Sequence, residues 1–127
     1  MTEGGTPPDP APDEAAEAIL DAFGDRRARH VLAVVGREPR SAKAIAEELD
    51  LSLPTVYRRI EDLQDYDLVV DRTEIGDDGN HYRVFECNFE STVISLEGGE
   101  YEVRVFRRGK VPDRFARLWD DLSRGSR

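Results

Sequence analysis

Apolar positions along this chain recur at two spacings, and the change between them divides it. From Asp13 to Leu63 they fall three and four apart, the spacing of one helical face. From Leu68 to Arg107 they tend to alternate, the spacing of a strand. Ala15, Ile19, Leu20 and Phe23 share one side of a helix over Asp13–Phe23, with Gly24 as its stop. Asp25 is placed to cap a second helix, Arg26–Val35, with Ala28, Val31, Leu32 and Val35 inward and Gly36 as the expected C-terminal stop. Ser41 caps a third, in which Ala42, Ile45, Ala46 and Leu49 fall at i, i+3, i+4 and i+7. Asp50-Leu51-Ser52 makes a short polar break with one apolar plug. Ser52 then caps a fourth helix over 52–65, where Pro54 fits the first turn and Val56, Ile60 and Leu63 recur at i, i+4 and i+7. Two short helices with so tight a turn predict a helix-turn-helix, whose second helix can enter a DNA major groove.

The alternating half predicts two hairpins. Leu68–Glu74, with Ile75 just past its end, and His81–Cys87 flank the turn signal Gly76-Asp77-Asp78-Gly79-Asn80. A hairpin directly after a helix-turn-helix is a wing. Asn88–Leu96 and Tyr101–Arg107 flank Gly98-Gly99 and form a second hairpin. A bare winged helix has no need of it. Cover for a small core, a partner surface and an effector surface all stay open. Pro112 opens a last helix with Phe115, Leu118, Trp119 and Leu122 at i, i+3, i+4 and i+7. That narrow aromatic stripe suits either packing on its own domain or a dimer contact. A symmetric reader needs a dimer to meet a palindromic site, so the dimer is the expectation, with Ile19 and Phe23 contributing.

The expected layout is therefore α+β: a winged helix-turn-helix with an additional C-terminal β-hairpin and a terminal helix. Residues 1–12, with four of the seven prolines, are expected to be a disordered tail. Residues 13–87 form the winged domain, 88–108 the extra hairpin, and 112–123 the terminal helix.

Composition complicates a nucleic-acid reading. The 127 residues carry a net charge of −9, and nucleic-acid binders usually carry a basic footprint. The basic residues are clustered, however. Arg26–Lys43 holds six of them against Glu38, and Arg104–Arg117 six against Asp113. Only two of the 18 basic residues are lysines. Abundant Asp and Glu with almost no Lys resembles proteins of salt-accumulating halophilic archaea; an ordinary acidic cytosolic protein is the alternative. The longest apolar runs are too short to span a bilayer, and no basic start precedes an apolar run. A cytoplasmic protein with no membrane contact is expected. The single Cys87 excludes an intrachain disulfide. A redox role would need an exposed, electropositive setting, and a small apolar role is favoured for it.

Taking about 100° per residue along the fourth helix, Pro54, Tyr57, Arg58, Glu61 and Asp62 face away from the core, with Thr55 and Arg59 at the flanks. Arg58 is placed for a bidentate bond to guanine. Tyr57 suits a thymine methyl, a phosphate, or packing at the helix edge. Arg40, Ser41, Lys43, Ser52 and Arg59, together with Arg72, His81 and Arg83 on the wing, are candidate contacts to double-stranded DNA. Asp77 and Asp78 at the wing tip oppose such contact unless cations bridge them. Arg26, Arg27, Arg29 and His30 ring the second helix, as a solvated face or as a phosphate contact.

The run Phe23-Gly-Asp-Arg-Arg-Ala-Arg-His-Val-Leu, then Ala44-Ile-Ala-Glu-Glu-Leu-Asp-Leu-Ser-Leu-Pro-Thr-Val-Tyr-Arg-Arg-Ile-Glu-Asp-Leu, then Asp67-Leu-Val, resembles the arsenical-resistance-repressor (ArsR) type of winged helix over residues 19–86. The resemblance implies a homodimeric transcriptional regulator that reads DNA with Pro54, Thr55, Tyr57 and Arg58. Metal-sensing members carry a Cys-x-Cys pair where this chain has Ser41-Ala42-Lys43. His30 and His81 do not replace it at any ligand spacing, so neither a metal nor another cofactor is expected. No phosphate-binding glycine loop or nucleophile-elbow pattern is present, so an enzyme is not expected. The competing expectation is a winged-helix module that docks a protein partner without reading DNA.

Overall fold

The computed structural model describes residues 7–111. Four helices come first: α1 (Asp13–Gly24), α2 (Arg26–Arg37), α3 (Ala42–Leu49) and α4 (Leu53–Gln64). Four strands follow: β1 (Val69–Ile75), β2 (His81–Cys87), β3 (Phe89–Glu97) and β4 (Glu100–Arg107). The layout is α+β, a winged helix-turn-helix followed by a second hairpin. Pro112 and the stripe Phe115, Leu118, Trp119 and Leu122 lie outside the described residues.

Each helix start has a local cause. Asp13 and Glu14 occupy the first turn of α1, where a helix dipole favours negative charge. The Asp25 carboxylate accepts from Ala28 N at 3.0 Å and starts α2. Ser41 and Ser52 cap α3 and α4 through Ala44 N at 3.1 Å and Thr55 N at 3.3 Å. The stops differ from expectation. Gly24 and Gly36 are both helical, and neither takes a positive φ. The chain instead leaves α1 through Asp25 in extended backbone. It leaves α3 through Asp50 at φ 55, a left-handed position that Asp tolerates.

The inward faces meet in one core of Ile19, Val31, Val35, Ile45, Val56, Ile60, Leu63, Leu68 and Phe85, with Val103 and Val105 from β4. Burying a Leu, Ile or Phe side chain contributes about 1.5–3 kcal/mol, so this shared core is what holds the two short helices in place. Ile19 is 1% exposed, and Phe23 is half-buried with its ring 4.9 Å from that of Phe89. Both were expected at a dimer surface. They are spent on the domain's own interior, because α1 packs against α2 and β4.

Strands β1 and β2 pair antiparallel from Val69↔Cys87 to Ile75↔His81. A third, one-residue strand closes the other edge of β2. Arg40 N donates to Phe85 O at 3.0 Å, and Phe85 N to Arg40 O at 2.7 Å. The second hairpin pairs β3 with β4 in a separate sheet. Asn88, 2% exposed, joins the two sheets. Its Nδ2 donates to Asp67 O at 3.0 Å, its Oδ1 accepts from Lys110 N at 2.9 Å, and its backbone bonds Leu68 and Arg108. Within the proline-rich 1–12 stretch, Ala11 N donates to Val103 O at 2.8 Å and Pro8 O accepts from Arg104 Nη1 at 2.7 Å. This part lies against β4, where composition alone pointed to a tail.

Candidate nucleic-acid interface

The turn between α3 and α4 is short because Leu51 N returns to Ala46 O at 3.0 Å. Val56, Ile60 and Leu63 then anchor α4 from beneath. The opposite side is left to solvent. Pro54, Arg58, Glu61 and Asp62 are exposed, and Leu53 and Tyr57 are 42% and 41% exposed. Leu53 was not singled out from the sequence; it stands one place before Pro54, outside the helical stripe. Thr55 is half-buried and accepts from the Ser52 hydroxyl at 2.8 Å, so it serves the cap.

The wing is tied to α4 by rings and charges. Tyr57 meets Phe85 edge-on, with centroids 6.4 Å apart. The Arg83 guanidinium lies 5.0 Å from the centroid of the same Phe85 ring. Asp71, 8% exposed, accepts from Arg83 Nε at 2.8 Å and from Gln64 Nε2 at 3.2 Å. The helix and hairpin are therefore held against each other.

Most of the arginines expected on that surface are engaged. Arg59 lies 3.3 Å from Asp25 and 3.3 Å from Asp62, and is only 19% exposed along its side chain. It links α4 to the cap of α2 rather than facing outward. Arg40 lies 3.6 Å from Glu38 and 3.5 Å from Glu48, and its backbone forms the bridge to β2. Arg72 pairs with Glu74 at 2.6 Å and lies 3.7 Å from Glu86. Lys43 and Arg58 are exposed, with no ion-pair partner among the described residues. His81 is exposed at the start of β2. Ser41 and Ser52 spend their hydroxyls on caps.

The carboxylates near the surface respond to these contacts. The Ala28 amide holds Asp25 below the usual carboxylate range, with Arg59 adding to the effect. The Asn80 amide and side chain do the same for Asp78 at the wing tip, so the tip stays anionic. Glu74 accepts from the Tyr82 hydroxyl at 3.1 Å and raises that phenol's pKa. Cys87 is buried, with its Sγ 3.3 Å from Phe89 O, in the small packing role favoured for it.

The region from the second half of α1 to the start of β1 is where the chain meets known proteins. Residues 18–72 match the family model of a helix-turn-helix domain. The matched span is a little under half of the chain. No curated protein and no solved structure matches the chain. Within the matched span Lys43, Leu53, Tyr57 and Arg58 are exposed; the wing strand β2 lies beyond it. Among the described residues, no helix is long and apolar enough to cross a membrane.

Proposed function

We propose that this chain is a sequence-specific DNA-binding transcriptional regulator of the arsenical-resistance-repressor type. In this reading α4 enters the major groove of double-stranded DNA, with Arg58 and Tyr57 at base edges and Pro54 and Leu53 against thymine methyls. Lys43 and His81 contact phosphate and set the register. The protein acts as a cytoplasmic homodimer in a halophilic archaeon, without a metal or cofactor and without catalysis. The stripe Phe115, Leu118, Trp119 and Leu122 contributes to the dimer. The observation that supports this reading best is Arg58, an exposed guanidinium with no carboxylate partner among the described residues, on the outer face of a helix that is capped and anchored from below.

A mobility-shift titration with fragments of the host genome tests it. Wild type is expected to retain a subset of fragments. Arg58→Ala is expected to lose that preference, while Lys43→Ala weakens all fragments alike. Equal loss on preferred and random DNA for Arg58→Ala rejects the assigned role.

A second reading, a module that docks a protein partner, draws on the ion-paired state of Arg40, Arg59, Arg72 and Arg83 and on the acidic wing tip. It gains if no genomic fragment is retained at any salt concentration.

A further inference from the structure

The outer sheet edges of this protein are treated in different ways. Arg40 bridges the other edge of β2 at Phe85. Residues 8–11 cover β4 on the side away from β3, through Ala11 and Pro8. The open edge of β1 carries Asp71, Arg72 and Glu74, and such charges discourage pairing with another strand. Strand β3 differs from all of these. It has β4 on one side and, among the described residues, no backbone partner on the other. It runs for nine residues, and its only charges are Glu90 and Glu97 near its ends. The six residues Ser91–Leu96 between them include no proline and no lysine. Val93, Ile94 and Leu96 are 46%, 53% and 62% exposed, on both faces of the strand. An unblocked edge of β-branched residues is a template for a further strand.

We propose that two copies of this chain join antiparallel through β3, making one four-stranded sheet in the order β4-β3-β3-β4. Charge selects a second copy as the occupant. With a two-fold axis at Val93, Ser91 meets Ser95, Thr92 meets Ile94 and Glu90 meets Leu96, so no carboxylate opposes another across the pair. The chain's net charge of −9 disfavours close approach of two copies at its acidic surfaces, and this segment escapes that repulsion. Pairing also sets Val93 of one copy directly beside Val93 of the other and Ile94 of each opposite Thr92 of the other, which covers side chains now exposed. The contact rests on the homodimer of the regulator reading, but it is separate from the terminal stripe and independent of DNA.

Single cysteines in the full chain test it. Residues paired across an antiparallel two-fold axis have Cα atoms about 4.5–5.5 Å apart, within the reach of a disulfide. Val93→Cys is expected to give a covalent dimer on mild oxidation, read by non-reducing electrophoresis. Glu97→Cys, whose copies lie about 26 Å apart in that register, is expected to give almost none. By sedimentation, wild type is expected at twice the 14.4 kDa chain mass. Val93→Lys and Val93→Glu are each expected at the single mass alone and at the double mass when mixed. A monomeric wild type overturns both the contact and the homodimer. A dimer that Val93→Cys does not cross-link, or that survives Val93→Lys, overturns the β3 contact and leaves the homodimer standing.

Discussion

Arg83 grips Asp71 through two nitrogens, with Nε 2.8 Å and Nη2 2.7 Å from the same carboxylate oxygen. The two ends of this pair differ in their surroundings. The Asp71 side chain is 8% exposed and that of Arg83 52%. Removing the arginine leaves a buried carboxylate held by Gln64 alone, whereas neutralising the aspartate leaves an arginine already in water. Arg83→Ala is expected to destabilise the fold by about 1–2 kcal/mol, discounted from a fully buried pair because one partner is half exposed. Asp71→Asn is expected to cost less. Urea denaturation of the two variants checks the order.

The Asp25 cap has a pH signature. Its carboxyl is held low, first by the Ala28 amide and then by Arg59. A group whose folded pKa is lowered stabilises the fold above its unfolded value, roughly 3.9, and loses that stabilisation as pH falls through the folded value. Asp25→Ala is expected to cost about 1 kcal/mol at neutral pH. The gap between variant and wild type is expected to narrow below about pH 4. Thermal melts across that range measure it, and a gap that widens in acid contradicts the assignment.

Asn88 sits where the winged part passes into the second hairpin. Asn88→Ala removes the side-chain bonds to Asp67 O and Lys110 N and leaves a small cavity, at an expected cost of about 1–3 kcal/mol. Native-state hydrogen exchange is expected to show β3 and β4 opening first, with α3 and α4 protected as before.

Much of this architecture was legible from spacing alone. The four helical stripes and the two alternating hairpins appear at the expected places, and the outward set Pro54, Tyr57 and Arg58 is exposed. What escaped is tertiary. Arg59 lies at the flank of α4 by periodicity, but its partner Asp25 belongs to another helix and no local pattern joins them. The Arg40 bridge to Phe85 is one residue long and has no period to detect. Gly24 and Gly36 carry a stop signal in isolation, yet the packing of α1 and α2 keeps both helical. Ile19 and Phe23 share the apolar face of α1, and a sequence cannot say whether such a face meets its own domain or a second copy. Asn88 gave no signal, since a buried polar residue at a strand end looks like any turn residue.

The ion pairs predict how binding responds to salt. Arg40, Arg59, Arg72 and Arg83 already hold carboxylates, which leaves Lys43 and Arg58 as the unpaired cations among those expected at DNA. Two neutralised phosphates per protomer, four per homodimer, give a slope of log affinity against log salt of about −4, whereas engagement of all six cations per protomer gives about −11. Anisotropy titrations at several potassium chloride concentrations separate these values. The steeper slope means that the arginines abandon their carboxylates on binding.

Selection from a random duplex pool addresses the reading helix most directly. Wild-type protein is expected to enrich one motif containing a guanine that Arg58 contacts. Arg58→Ala, with stability unchanged to within about 0.5 kcal/mol as for an exposed site, is expected to lose preference at that base. Enrichment of the same motif at the same affinity by Arg58→Ala, or no enrichment by wild type at any salt concentration, would contradict the claim that the outer face of α4 reads DNA.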